Sequence, residues 1–463
     1  MNLVEDPIPK LIRRIAIPAS IGFFFNTMYN FVDTYFAGLI SKSALTGLGR
    51  SFPLFLGLLA VGSGISNGTT ALISNALGRK DHEGARLFFA QSVVFAAISG
   101  VIVSIAGWLL APTLFKLLHA EGEYLEAALA FMNMIFLGGV FFILQMTLNA
   151  VLNAQGETPV FRNVLIGSFV GNCLLNPLFI YGGWFGLPPL GVAGIGVATS
   201  VIQVLGAGVL LAHVTKGDLC KGLTLAEFKP RWTSIMQITE QALPAALNMM
   251  TVALGVYVIT WFVAKFNEDA VAAYGIATRV EQMVLLPTIG LNFAVLSLTG
   301  QNNGARRLDR VQHAWRTCIR YGLGLMVPGG VIVYAIRYPA MRWFTQDAQV
   351  IEYGANYLSI AAITLCAYPV LFQTVFMLQG LKRPVYGLWI GLYRQIVAPL
   401  LVFQALAFWL GFKLWGVWWG VSIVNWSAAL FTLWWGGRVL AKCQEVTVPA
   451  EVLAQAQALE SVD

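Results

Sequence analysis

Apolar positions dominate this chain in long runs, separated by short polar breaks. About 20 apolar residues suffice to carry a helix across a hydrocarbon core. Twelve such runs occur, beginning near Leu11, Gly47, Leu87, Glu123, Phe161, Leu190, Ser234, Asp269, Val311, Val350, Pro384 and Lys413. The longest break, Lys216 to Ser234, falls mid-chain. The pattern predicts an all-α polytopic membrane protein of 12 transmembrane helices in two six-helix bundles. Residues 1–215 form the first bundle, 216–233 a linker, 234–440 the second bundle and 441–463 a tail.

The halves resemble one another at a shift of about 225 residues. "IPASIGFFFNTMYNFVDTYFAG" (Ile17 to Gly38) parallels "LPAALNMMTVALGVYVITWFVA" (Leu243 to Ala264). "LGRKDHEGAR" parallels "TGQNNGAR", "QGETP" parallels "QGLKRP", and "LGV" parallels "WGV". A shift of six spans preserves orientation, so the bundles are expected to be related by a pseudo-two-fold axis along the membrane normal, with a cleft between them.

Composition supports the membrane reading. The 463 residues are 57% hydrophobic and 11% charged, with mean hydropathy +0.71, whereas soluble proteins carry about 25% charged residues. The net charge of +7 is better explained by loop bias than by nucleic acid, and no nucleic-acid partner is expected. With both termini inside, twenty of the 29 Lys and Arg fall on the inner side, six on the outer and three (Arg50, Arg279, Arg394) within spans. That asymmetry is the positive-inside pattern. It predicts a multi-pass protein of a bacterial-type inner (cytoplasmic) membrane. The N-terminus does not read as a cleavable signal, because the first apolar run is too long.

Several chemistries are disfavoured. Five cysteines without a CxxC pair and four dispersed histidines give no disulfide framework and no histidine metal site. There is no P-loop GxxxxGK[ST], no HExxH and no Gly-Tyr-Gly filter. An enzyme, an ATP-driven pump and a potassium channel are all set aside, and no organic cofactor is expected.

The motifs "VDTYFAG" with "SALTGLG", "ISNALGRKDHEGAR", "LNAQGETP", "NCLLNPLFIYGG" and "GVAGIGVAT" resemble the multidrug and toxic compound extrusion (MATE) family over nearly the whole chain, to about Gly437. The resemblance implies an antiporter, coupled to H+ or Na+, that exports small organic, often cationic, compounds by alternating access. The chain is expected to act as a monomer among membrane lipids. A flippase for a lipid-linked precursor, from the same superfamily, is the alternative.

Asp33 is the acid that stands out. It lies in the first span, where an ionisable residue marks function by default; pairing with a buried arginine such as Arg50 is the competing structural role. Asn26, Asn30, Asp33 and Ala37 share one helix stripe. By resemblance, Asp33, Asn172, Asn176 and Thr199 occupy the family's cation site, where Na+ could find its oxygen ligands. Many relatives have a second Asp where this chain has Asn176. That substitution favours H+ weakly over Na+, since Asn can neither take a second proton nor add a second charge. One branch of the family carries a glutamate in the seventh span, which is absent after Pro244 here. The chain is therefore closer to the branch relying on the first-helix Asp (DinF-like).

Further polar stripes are Gln145, Asn149 and Asn153 on the fourth span, and Ser63, Asn67, Thr70 and Ser74 on the second. They serve either as helix–helix hydrogen bonds or as cavity wall. Tyr29, Tyr35, Tyr257 and Tyr274 are candidates for stacking on a flat cation. Glu281, in "TRVEQ", has Arg279, Arg394 or no residue as its partner, and a structural role is favoured over coupling. Pro18 offers a kink site in the first span, which would let Asp33 protonation bend that helix.

Overall fold

The computed structural model describes residues 1–117, 121–182 and 188–447. The tail beyond Thr447, His119 and the last glycine of the "YGG" motif, Gly183, lie outside the described residues. The chain runs α1 (Ile8–Ile40), α2 (Lys42–Gly78), α3 (His82–Leu117), α4 (Glu123–Gln155), α5 (Thr158–Tyr181), α6 (Val192–Lys216), α7 (Trp232–Ala264), α8 (Glu268–Gly304), α9 (Leu308–Arg342), α10 (Ala348–Thr364), α11 (Ala367–Gly380), α12 (Val385–Trp409) and α13 (Lys413–Thr447). Helices α10 and α11 are one expected span bent by 51° at a short break, so up to twelve helices are long and apolar enough to cross. Two features depart from the expectation of regular spans: this bend, and two π turns in α12 at Tyr393–Val397 and Gln404–Trp409. The last helix also continues past residue 441, to Thr447.

The polar breaks act as caps. Ser41 alone separates α1 from α2, and its side chain accepts from the Ala44 N–H. Asn267 accepts from the Asp269 N–H at the start of α8, and Asp347 accepts from Gln349 and Val350 at α10. Each replaces a bond that the first turn of a helix lacks.

Helix ends also fix the internal repeat. Lys80, Gly156, Arg306 and Lys382 all have positive φ, near 60–80°, and each closes a helix with a Schellman pair of backbone bonds. Asp81 N bonds Ala76 O and Lys80 N bonds Leu77 O; Arg307 N bonds Asn302 O and Arg306 N bonds Asn303 O. The same pairing joins Glu157 to Leu152 and Arg383 to Leu378. Matching positions are 226 residues apart in each case. The structure thus pairs Gly78 with Gly304 and Gly156 with Lys382, a register that the motif matches of the sequence only approximated. In this register Asp33 faces Ile259 in the other half.

Among the described residues, close contacts between the halves gather toward one end. Ala16 and Ser20 of α1 approach Gly290, and the Ser20 hydroxyl donates to Pro287 O at 2.9 Å. Phe23 stacks on Phe293. Gly64 and Gly68 of α2 admit the backbone of α7 at Ala242 and Ala246. A shared core joins Leu3–Ala16 to the ends of α8, α9, α11 and α13. Toward the opposite end, each half packs on itself. Ala37, Ala44, Ile180 and Ile195 cluster in the first, and Phe262, Tyr274, Tyr357 and Trp418 in the second. The result is a V, closed at the end that carries the basic loops Arg79–Lys80, Arg306–Arg307 and Lys382–Arg383.

The segment between the halves is not a free linker. It forms two short 3-10 turns, Asp218–Cys220 and Leu225–Phe228, docked on α3. Arg86 Nε meets Glu227 Oε1 at 2.8 Å, and Gln91 Nε2 donates to the Glu227 and Lys229 carbonyls.

Candidate coupling site and family membership

Asp33 sits in the parted half of α1 with its carboxylate turned into the first bundle, 7% exposed. Asn172 and Asn176, one turn apart on α5, project on the same side because i, i+4 residues share a helix face. Both amides donate to Asp33 Oδ1, Asn172 at 2.8 Å and Asn176 at 2.9 Å. Asn176 Nδ2 also lies 3.1 Å from Asn172 Oδ1. Thr199 of α6 lies beside the carboxylate, and Tyr29 donates its hydroxyl to Thr199 Oγ1 at 2.9 Å. Two amide donors of α5 therefore converge on one buried acid of α1, with Thr199 of α6 beside it. Asn176 Oδ1 is buried without a partner among the described residues.

The four residues expected at the cation site are thus brought together. The competing arginine pairing is replaced by amide donors: Arg50 lies over the Tyr124 ring, 5.5 Å from its centroid. The other candidate residues are placed as follows. Asn30 turns its amide back to Asn26 O on its own helix and is exposed, and Asn26 is half-buried. Tyr29 and Tyr274 are interior residues rather than stacking surfaces. Tyr29 belongs to the Asp33 network, and Tyr274 packs edge-on to Tyr357 and stacks on Trp418. Tyr35 and Tyr257 are exposed, 64% and 70%. Gln145, Asn149 and Asn153 are buried within the first bundle; Asn149 Oδ1 and Asn153 Nδ2 have no partner among the described residues.

The second bundle holds its own acid. Glu281 is 5% exposed, and Tyr357 and Tyr368 each donate a hydroxyl at 2.8 Å, to Oε2 and Oε1. Arg394, at a π turn of α12, donates to Asn425 Oδ1 at 3.0 Å. Arg279 is exposed. Both tyrosines were missed as partners because they come from the bent α10–α11 pair, whose geometry no local pattern encodes.

The MatE family model matches the chain twice, at residues 18–178 and 244–403. The chain belongs to the MatE family. The two matches begin 226 residues apart, the same shift that relates the helix ends. It is accordingly a multi-pass membrane transporter and not an enzyme.

Among curated relatives, the chain is 29% identical over 360 residues to the "Probable multidrug resistance protein NorM" of Thermotoga maritima, covering 76% of each chain. It is 24% identical over 408 residues to the "FAD transporter" of Shewanella oneidensis, covering 86% of this chain and 88% of the relative. Among solved structures, the outward-facing conformation of a multidrug resistance MATE family transporter superposes with TM-score 0.89 at 24% identity, covering 96% of this chain and 98% of that one.

Proposed function

We propose that this MatE protein is a cation-coupled antiporter that exports amphipathic, often cationic organic compounds across a bacterial-type inner membrane. Asp33 is its coupling carboxylate. Both termini and the closed basic end are cytoplasmic, following the positive-inside pattern, so the V opens outward and drug leaves through it. The protein works as a monomer and belongs with the DinF-like members that rely on the first-helix Asp.

The observation that carries the reading is the convergence of two amide N–H groups on the buried Asp33 carboxylate. Such donors compensate an ionised carboxylate in a site from which water is excluded. A proton on Oδ2 neutralises that carboxylate while both amides keep donating to Oδ1, through bonds that become weaker once the charge is gone. Sodium needs oxygens aimed inward, which requires both amides to turn over. Asn176 Oδ1 and Asn172 Oδ1 are the groups that would then ligate the ion. This asymmetry favours H+. Protonated and ionised Asp33 make different bonds to α5 and α6, so the ion shifts the balance between outward- and inward-open states. Drug bound in the cleft must favour the other response for the two to be linked. Pro18 removes one backbone bond from α1, giving that helix a point to bend as Asp33 changes.

The flippase alternative calls for a strongly basic cleft. Two of the three arginines within spans are engaged elsewhere: Arg50 lies over Tyr124 and Arg394 is held by Asn425. The similarity to an FAD transporter makes a flavin dinucleotide the second cargo to try.

Reconstitution in liposomes with an imposed proton or sodium gradient tests the reading. Ethidium export follows the proton gradient and is lost in Asp33→Asn. Export by that variant at the parental rate would overturn it.

A further inference from the structure

The closed end of the V is held by a contact that obeys the two-fold repeat. Asn75, near the end of α2, donates Nδ2 to Gly380 O at the end of α11, at 2.9 Å. Gln301, near the end of α8, donates Nε2 to Ala154 O at the end of α4, at 2.7 Å. Asn75 and Gln301 are 226 residues apart, and so are Ala154 and Gly380. Each half therefore reaches the last helical turn of the other half by the same route. The backbones meet in the same reciprocal way. A Cβ on Gly78 would strike Gln301 O, and a Cβ on Gly304 would strike Asn75 O. Asn303 Nδ2 closes the centre by donating to Asn75 Oδ1 at 2.6 Å. Asn75 is 1% exposed and Gln301 9%.

We propose that Asn75 and Gln301 form a reciprocal amide latch that holds this gate shut, and that releasing it is what lets the halves part at the basic end. The inference rests on the alternating-access reading above. Three features make the contact a switch and not permanent glue. First, its acceptors are carbonyls at helix ends, which have no partner inside their own helix. When the gate parts, water can take both, so release leaves no bond unmade. Second, closure buries polar atoms that stay unpaired. Gln241 Oε1, Gln379 Oε1, Ser297 Oγ and Thr299 Oγ1 lack partners in the closed gate among the described residues. Asn67, Gln241 and Gln379 line a narrow crevice there, which opening would hydrate. Third, like charges face each other across the seam. The Lys382 ammonium is held below its ordinary pKa by burial and by the Arg79 guanidinium of the other half. Closure thus carries built-in costs, and the two amides with their glycine contacts offset them.

The test measures the gate and not transport. Nitroxides go on the exposed, repeat-related positions Glu83 and Asp309 of the full chain, with the five native cysteines replaced, in lipid nanodiscs. Pulsed electron double resonance on the parent gives one short distance population. In Asn75→Ala/Gln301→Ala a longer population takes over more than half of the molecules, and each single variant lies between. Gly78→Ala, which wedges the same contact without touching either amide, lengthens the distance as well. A folded, monodisperse double variant with the parental distance distribution would overturn the latch. If the double variant does not fold, Gln301→Glu, equal in size and without the donor, decides by the same measurement. Because Asp33 is untouched, a shifted gate with intact proton binding separates the latch from failure of the coupling reading.

Discussion

Asp33 and Asn176 lie 143 residues apart in the chain and meet at 2.9 Å inside the first bundle. Asn176 brings no charge of its own, so on the proposed reading the site has one exchangeable carboxylate. Asn176→Asp is expected to place two carboxylates within hydrogen-bonding distance. Like charges that close cannot both ionise, and the pair takes up an additional proton. The number of protons exchanged per cycle should then rise. Reversal potentials in proteoliposomes measure it, and an unchanged stoichiometry would contradict the one-carboxylate account.

Asp33→Asn keeps the size of the side chain and removes a buried charge. Its Oδ1 still accepts from Asn172 or Asn176. Replacing a buried ionised group by a neutral isostere that keeps partners costs little. The variant should melt within a few degrees of the parent while gradient-driven export falls at least about tenfold, a barrier change of roughly 1.4 kcal/mol. A large drop in melting temperature would show that Asp33 serves the fold and not coupling.

Glu281 is held by two tyrosine hydroxyls from α10 and α11, which ties the broken span to α8. Tyr357→Phe leaves one buried carboxylate oxygen unpaired, at a cost of about 1–3 kcal/mol. Its thermal midpoint should fall, whereas Glu281→Gln retains proton-driven export. Loss of coupling in a well-folded Glu281→Gln variant would promote Glu281 to a second coupling acid.

The segment joining the halves carries a pH-dependent contact outside the membrane. Glu227 is held below the usual carboxylate range, first by the Thr224 backbone N–H and then by Arg86. A depressed carboxylate stabilises docking above its undocked pKa, and that stabilisation is lost as pH falls through the docked value. Docking is therefore constant at neutral pH and weakens in acid, below the ordinary carboxylate range. Glu227→Gln reproduces the loss at neutral pH. Trypsin should cleave after Lys221, whose carbonyl Arg86 holds, about tenfold faster in that variant, since local opening exposes the segment; equal rates would show that the segment is held by other contacts.

Much of the architecture was legible in the chain because transfer of apolar surface into lipid is close to a linear reading of the sequence. The runs gave the spans, the Lys and Arg bias gave an expected orientation, and the repeat gave two halves. The repeat also marked Asp33 as belonging to one half, since Ile259 stands opposite. The positions of Asn172, Asn176 and Thr199 came from motif resemblance, not from physics of the chain alone.

The sequence could not show which polar groups face one another. Asn30 and Asp33 share a helix stripe, yet only Asp33 turns into the bundle. Tyr29 and Tyr35 are near neighbours, yet one is sealed against Thr199 and the other exposed. Asn75 and Gln301 look like ordinary polar residues near helix ends until the folded halves bring them to Gly380 and Ala154, 305 and 147 residues away. The sequence by itself determined how many times the chain crosses and where its one first-span acid lies, because lipid screens every residue separately for polarity. Only the tertiary structure decided which donors meet that acid and how the gate closes, because a hydrogen bond depends on the position of two groups at once, and small residues such as Gly78 and Gly304 set that position without any chemical mark of their own.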